Sequence, residues 1–274
     1  MSDRESVLLE PAFVLHQRPY RNTSQLLECL TAEHGRIGLI AQGSRRALGG
    51  QRALLQPFVP LRLSWVRRGE LGRLTGVEPG GWGVEAVGGS GEAGGGGGAY
   101  APVGGGEQVG GIGAVAGLAS ARLLAGYYVN ELALRLSVRG DANEAVFSCY
   151  SRCLAVLAAP RAGVARTLRL FELHFLRALG YGLELGCDVE TGEPLKPDFR
   201  YRFELERGPR ADERVAEQEG YWGRELISLQ AEALEDEASL RAARRLLGRV
   251  LQGYLGERPL KSRAVLKDIV ARGL

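Results

Sequence analysis

Along the first 80 residues, apolar and polar positions alternate in short bursts, the period-two pattern of half-buried strands. Ala12–Leu15 predicts one strand, Gln25–Leu30 and Arg36–Ala41 two more, and Leu61–Val66 with Leu71–Val77 a hairpin around Arg68-Gly69. Ala32-Glu33-His34-Gly35 predicts a tight connection in which Gly35 takes a positive φ. Five strands within about 70 residues is the strand number of a small OB-fold barrel. Residues 42–56, with Gly43, Ser44, Gly49 and Gly50 among their arginines, are too polar for a core and predict a basic loop.

The pattern then changes twice. From Gly80 to Gly113, 17 of 34 residues are glycine. The few apolar side chains there do not offset the backbone entropy lost on ordering, so this stretch predicts a flexible insertion or linker. It has neither Gly-Lys-Ser/Thr opening a helix nor a G-x-G-x-x-G between strand and helix, so it does not read as a phosphate loop. From Ala114 the apolar spacing becomes helical: 114–138, 143–158 with a cap at Asp141, 164–179 ending at Gly180, 237–255, and a closing helix over 262–270. Tyr181 to about residue 222 reads as an irregular or hairpin excursion. The predicted class is α+β multidomain, with an OB-fold barrel at 1–79, the insertion at 80–113 and an α-helical domain at 114–274.

Charge sharpens this picture. Between Ala12 and Arg73 stand ten arginines against Glu28, Glu33 and Glu70, whereas the whole chain carries only +3. Such a local field attracts polyanions, and neutralising phosphates releases counterions without regard to base sequence. Arg36, Arg45, Arg46, Arg52, Arg67 and Arg68 are the candidate phosphate contacts, with Tyr20 a possible stacking ring.

Other chemistry is sparse. His16, His34 and His174 are far apart, and none lies in a metalloenzyme motif. Cys29, Cys149, Cys153 and Cys187 do not form the dense framework of a secreted domain. Cys149 and Cys153 share a helix face, but two ligands are not a metal site. No catalytic residue, metal or cofactor is expected. No apolar run is long enough for a membrane helix, and the first residues lack a signal-peptide layout, so a cytoplasmic protein is expected.

AFVLHQRPYRNTSQLLECLTAEHGRIGLIAQGSRR, LQPFVPL, GYYVNEL, LRLFELHFLRALGYGLEL and PLKSR, in this order, resemble the bacterial RecO family of recombination mediators over residues 11–79 and 118–270. The resemblance implies an N-terminal OB-fold, a helical C-terminal domain, binding to single- and double-stranded DNA, and annealing of complementary strands. It further implies work with RecR and single-stranded-DNA-binding protein in loading the recombinase. Some members of the family hold zinc with four cysteines in the region from Cys187 to about 210. This chain keeps only Cys187 and is similar to those whose site has degenerated.

The family's capture of the partner protein's acidic C-terminal tail asks for a guanidinium beside apolar side chains. Arg169, in the L-R-x-F-E block, is the candidate carboxylate partner, with Phe171 in its apolar stripe and Arg166 and Arg177 as further cations. The alternative for Arg169 is an i,i+3 pair with Glu172. Two rival functions are a Mg-dependent nuclease, which strand cleavage would reveal, and a protein-only adaptor, which would bind no single strands.

Overall fold

The computed structural model describes residues 5–44, 51–80, 120–159, 163–256 and 260–262. The Gly-rich stretch, and the closing helix beyond Ser262, lie outside the described residues. Contacts divide the chain into two compact units. The described residues up to Ala159, with Ser262, form the first, and Gly163–Lys261 the second. The first two long helices therefore belong with the barrel, whereas the sequence pattern groups them with the later helices.

In the first unit, β1 (Glu5–Tyr20), β2 (Ser24–Thr31), β3 (Arg36–Ala41), β4 (Leu61–Arg67) and β5 (Leu71–Pro79) close into a barrel in the order β1-β2-β3-β5-β4. The β3–β5 pair is parallel and the other pairs antiparallel. This is the expected OB-fold, with a four-residue helix α1 (Gln51–Leu54) between β3 and β4. Alternate residues point inward: Ala12 and Val14 from β1, Leu27 and Cys29 from β2, Ile37, Leu39 and Ala41 from β3, Leu61, Leu63 and Trp65 from β4. Strands thus form here because half of each is buried.

β1 is four times the length that alternation predicts, because it serves two neighbours. Residues 12–20 pair with β2 and residues 5–12 with β4. Register shifts between Val7 and Glu10 and between Val14 and His16 bend it around the barrel. At the first shift Leu9 has φ 53° and Leu8 is 76% exposed, while Glu10 is buried and accepts the Glu33 N–H at 2.6 Å.

Helices α2 (Ser120–Leu136) and α3 (Glu144–Ala158) lie on the outside of this barrel. Phe13, pointing outward, meets the rings of Phe147 and Tyr150 at 5.7 and 5.0 Å. The second β1 bulge frees the Leu15 carbonyl from the ladder, and the Asn130 amide of α2 donates to it at 2.9 Å. Asn130 Oδ1 in turn accepts from the Tyr150 hydroxyl at 2.5 Å. The cap of α3 is Asn143, whose Oδ1 accepts the Val146 N–H, and not Asp141. The Asp141 carbonyl instead sits against Gly35, which has φ 63° and no room for a Cβ, so glycine is required there both for its turn and for this approach.

The second unit holds α4 (Val164–Ala178), a sheet of β6 (Arg200–Glu204), β7 (Gly208–Ala211) and β8 (Gly220–Trp222) in the order β7-β6-β8, then α5 (Gly223–Gln230) and α6 (Glu237–Leu255). The excursion is therefore a small antiparallel sheet preceded by a loop. Buried Asp188 organises that loop: its carboxylate accepts the N–H groups of Glu190, Thr191 and Ala211 at 2.8–3.3 Å. Burial pushes its pKa up, but these backbone bonds and the nearby Arg210 charge together outweigh burial and hold it below the usual carboxylate range.

Two stability outcomes follow. Asn130→Ala leaves a buried carbonyl and a buried hydroxyl unpaired, so urea melts should show a loss of about 2–4 kcal/mol, with Tyr150→Phe milder. For Asp188, whose native pKa is depressed, stability is fully present above the ordinary carboxylate pKa and is lost as pH falls through the lower native value. Asp188→Ala should cost about 2–4 kcal/mol at pH 7, a difference that shrinks in melts below pH 4.

Candidate nucleic-acid interface

OB-folds bind strands over β2–β3 and the neighbouring loops. In this barrel the outer face of β2–β3 presents Leu26, Glu28, Leu30, Arg36 and Gly38, and it is largely covered. Leu26 and Leu30 are buried. Arg36 donates through Nε to the Ser137 carbonyl at 3.1 Å and through Nη1 to Glu28 at 3.2 Å, while Arg139 bonds the other Glu28 oxygen. The Gly140 N–H closes the clasp on the Arg36 carbonyl at 2.9 Å. Arg36, expected on a phosphate, therefore ties the barrel to the α2–α3 turn.

The remaining predicted arginines divide. Arg67 grips Glu5 through Nε at 2.8 Å and Nη2 at 2.6 Å, and Glu5 also faces His34 at 3.4 Å. Arg67 thus ties the end of β4 to the start of β1. Arg68 is exposed at the β4–β5 turn, as expected for a contact. Arg45 and Arg46 lie outside the described residues, as does the Arg52 side chain.

The open side of the barrel carries arginines that strand periodicity alone did not single out. Register places Arg73 beside Ile40 on β3 and Val66 on β4, and Arg62 beside Glu78, all pointing away from the core. Arg73 is exposed, and among the described residues Arg62 donates only to the Leu9 carbonyl at 3.3 Å. Among the described residues Arg62, Arg68 and Arg73 form no ion pair within 4 Å; Glu78 stands across the strands from Arg62, and exposed Glu70 lies near Arg68 and Arg73 in sequence. Half-exposed apolar Leu71 and Val66 lie among them. At the β1–β2 turn, by the far end of β3, Arg18 is exposed and Arg21 lies 5.3 Å over the Tyr20 ring. The signal that could have found Arg62 and Arg73 is phase: each flanks an inward apolar residue.

In the second unit the expected tail-binding residues do not converge on one pocket. Arg169 is buried and donates to Glu172 at 2.7 Å, the i,i+3 pair that sequence offered as the alternative. Phe171 is buried and stacks on Phe175 at 5.0 Å. Neither is presented to a ligand, because both belong to the core side of α4. Arg166 and Arg177, on the other side, are exposed and do come together: Arg166 donates to the carbonyls of Glu232 and Ala233, and Arg177 and His174 both hold the Glu232 carboxylate, at 3.0 and 2.8 Å. Burial raises the Glu232 pKa, but His174 and Arg177 outweigh that and keep it low.

A family model described as "Recombination protein O N terminal" matches residues 6–80, and one described as "Recombination protein O C terminal" matches residues 119–264. The chain belongs to the RecO family. It is 39% identical to the DNA repair protein RecO of Nitrosococcus oceani, over 96% of this chain and 94% of the relative. Identity is 36% to that of Methylococcus capsulatus, covering 97% and 96%, and 37% to that of Coxiella burnetii, covering 95% and 98%.

A zinc ion of the kind some RecO proteins hold does not fit the residues present. Cys187 is the single thiol of its loop, bridging to Pro194, and Asp188 already has its oxygens on three backbone N–H groups. Among the described residues no group of three or more His, Cys, Asp or Glu side chains could hold a metal. The Cys149 thiol is pushed up to about 12 by burial, against the pull of Arg152, and so stays protonated. No described helix is long and apolar enough to cross a membrane.

Charge reversal tests this assignment. Arg68→Glu with Arg73→Glu should flatten the log-affinity versus log-salt slope for single-stranded DNA by about 1.5 units or more, since each lost phosphate contact removes roughly 0.7–0.9. Arg36→Ala should instead lower the melting temperature and leave the slope unchanged in the folded protein, as measured by fluorescence anisotropy.

Proposed function

We propose that this RecO-family chain is a DNA-binding recombination mediator that brings complementary single strands together and hands them on with partner proteins. The observation that carries this reading is the open β4–β5 face, where Arg62, Arg68 and Arg73 form no ion pair among the described residues and Arg68 and Arg73 are exposed. Two strands repel one another, and a cationic surface that screens both lets base pairing proceed without a catalytic residue. Arg45, Arg46 and Arg52 add to the basic character of the same unit in sequence.

RecR and the single-stranded-DNA-binding protein are the proposed partners, by family resemblance. For the acidic tail of the latter, the exposed Arg177 and Arg166, with half-buried His174 beside them at Glu232, are better placed than the buried Arg169 and Phe171, and exposed Ile227 supplies an apolar side chain on α5. A tail carboxylate would compete with Glu232 for Arg177.

The test is annealing of complementary strands, bare and coated with the single-stranded-DNA-binding protein. The Arg68→Glu/Arg73→Glu protein should be slow on both substrates. Arg177→Glu should anneal bare strands normally but bind the tail peptide about tenfold more weakly, roughly 1.4 kcal/mol. Wild-type annealing rates from the doubly reversed barrel protein would refute the reading.

A further inference from the structure

We propose that the second unit carries its own contact for single-stranded nucleic acid, a stacked corner made by Trp222, Arg224, Arg200, Phe199 and Lys196. This rests on the reading of the chain as a strand binder, but it uses a different surface from the barrel arginines. Gly223 makes the corner possible. A Cβ there would collide with the Lys196 carbonyl, so only glycine lets residues 196–199 lie against the start of α5. The Gly223 N–H then bonds the Phe199 carbonyl at 2.9 Å and the Arg224 N–H the Pro197 carbonyl at 3.0 Å. Antiparallel register sets Arg200 directly opposite Trp222.

The result is two guanidinium groups over one indole ring, Arg200 at 4.8 Å and Arg224 at 4.9 Å, with the Lys196 ammonium 5.4 Å over the Phe199 ring. Phe199 is 40% exposed and Arg224 is exposed, so a flat ligand can reach both. Opposing charges among the described residues are few. Asp198 lies 3.3 Å from Arg224 and Glu193 3.4 Å from Lys196, both pairs well exposed and therefore weak enough for phosphate to displace. Glu225 is held by the Trp222 N–H, and Arg200 reaches only the Ala216 carbonyl, at 3.5 Å, with no carboxylate among the described residues.

On the rest of this sheet face the arginines are answered: Arg202 by Asp212 and Glu219, Arg210 by Glu190 and Glu204. Arg200, the one arginine of this face without a carboxylate partner among the described residues, thus stands against Trp222, and the neighbouring pairs of Arg224 and Lys196 are the exposed, displaceable ones. A ligand that offers planar rings at intervals and a phosphate between them matches this arrangement. Bases stack on aromatic rings and on guanidinium planes, and Arg and Lys take the backbone. An acidic peptide would use the charges and leave the rings unused.

The experiment uses the full chain and reads Trp222 itself. Trp65 is fully buried, and subtracting the response of a Trp222→Phe protein removes both it and Trp82. A ten-residue oligothymidylate should quench a component of emission that the Trp222→Phe protein lacks. An abasic strand with the same phosphates should quench it much less. Arg224→Ala, an exposed change, and Arg200→Ala should each shift the midpoint about fivefold or more to higher strand concentration.

Equal quenching in the Trp222→Phe protein, equal quenching by the abasic strand, or a midpoint unmoved in a folded Arg224→Ala protein would overturn the proposal. So would displacement by an acidic peptide with no response to the oligonucleotide. Anisotropy of a labelled strand, run in parallel, separates the two levels. Binding without Trp222 quenching defeats this site alone, and absence of binding defeats the strand-binding reading as well.

Discussion

The hydrogen bond from Asn130 to the carbonyl of Leu15 is the constraint on which the first unit depends. A strand that must pair with β2 along one half and β4 along the other cannot stay flat, and the bulge that bends it leaves a backbone carbonyl without a ladder partner. Buried, that carbonyl would cost more than most single contacts return. Asn130 satisfies it and is itself fixed by the Tyr150 hydroxyl, whose titration burial pushes far above the ordinary phenol range. Barrel closure and helix docking are therefore one event energetically. The bend that closes the ring creates the acceptor that seats the helices.

This coupling determines where function can reside. The helices pack on β1, and the Arg36–Glu28–Arg139 clasp lays the α2–α3 turn against the face of β2–β3 on which OB-folds ordinarily hold a strand. Charge that composition assigns to the barrel as a whole is thus sorted by the fold into two kinds. Arg36 and Arg67 neutralise carboxylates and hold structure together, while Arg62, Arg68 and Arg73 remain open to solvent. The sorting makes the electrostatic field directional, which a uniform scatter of the same residues would not.

β2 to β5 and the helices at 164–178 and 237–255 were legible in the sequence because each buries one face against a neighbour at a regular period. β1 was legible only over its central four residues. Its bulges invert the alternation so that Leu8 and Leu9 face water while Glu10 is inside. The destinations of arginine side chains were the least legible. Arg36 meets Ser137 about a hundred positions away, and no local spacing reports such a partner. Arg169 is the instructive contrast: its partner Glu172 stands three residues on, a spacing that sequence does display, and the local pair is the one that forms. The site at Trp222 had no signature, since its members come from two segments joined only by strand register and one glycine.

The cover over β1 also has a consequence in time. A chain emerging from the ribosome completes its five strands at Pro79, yet Tyr150 and Phe147, which shield Phe13, follow some seventy residues later, beyond the glycine tract. During that interval Phe13 lacks the rings that shield it and the Leu15 carbonyl lacks its donor, leaving apolar surface of the kind that chaperones recognise and that draws unfinished chains together. A fragment cut at the end of the strands would remain in that sticky state. Residue 80 is where the first family match ends, but it is not where a self-sufficient folding unit ends.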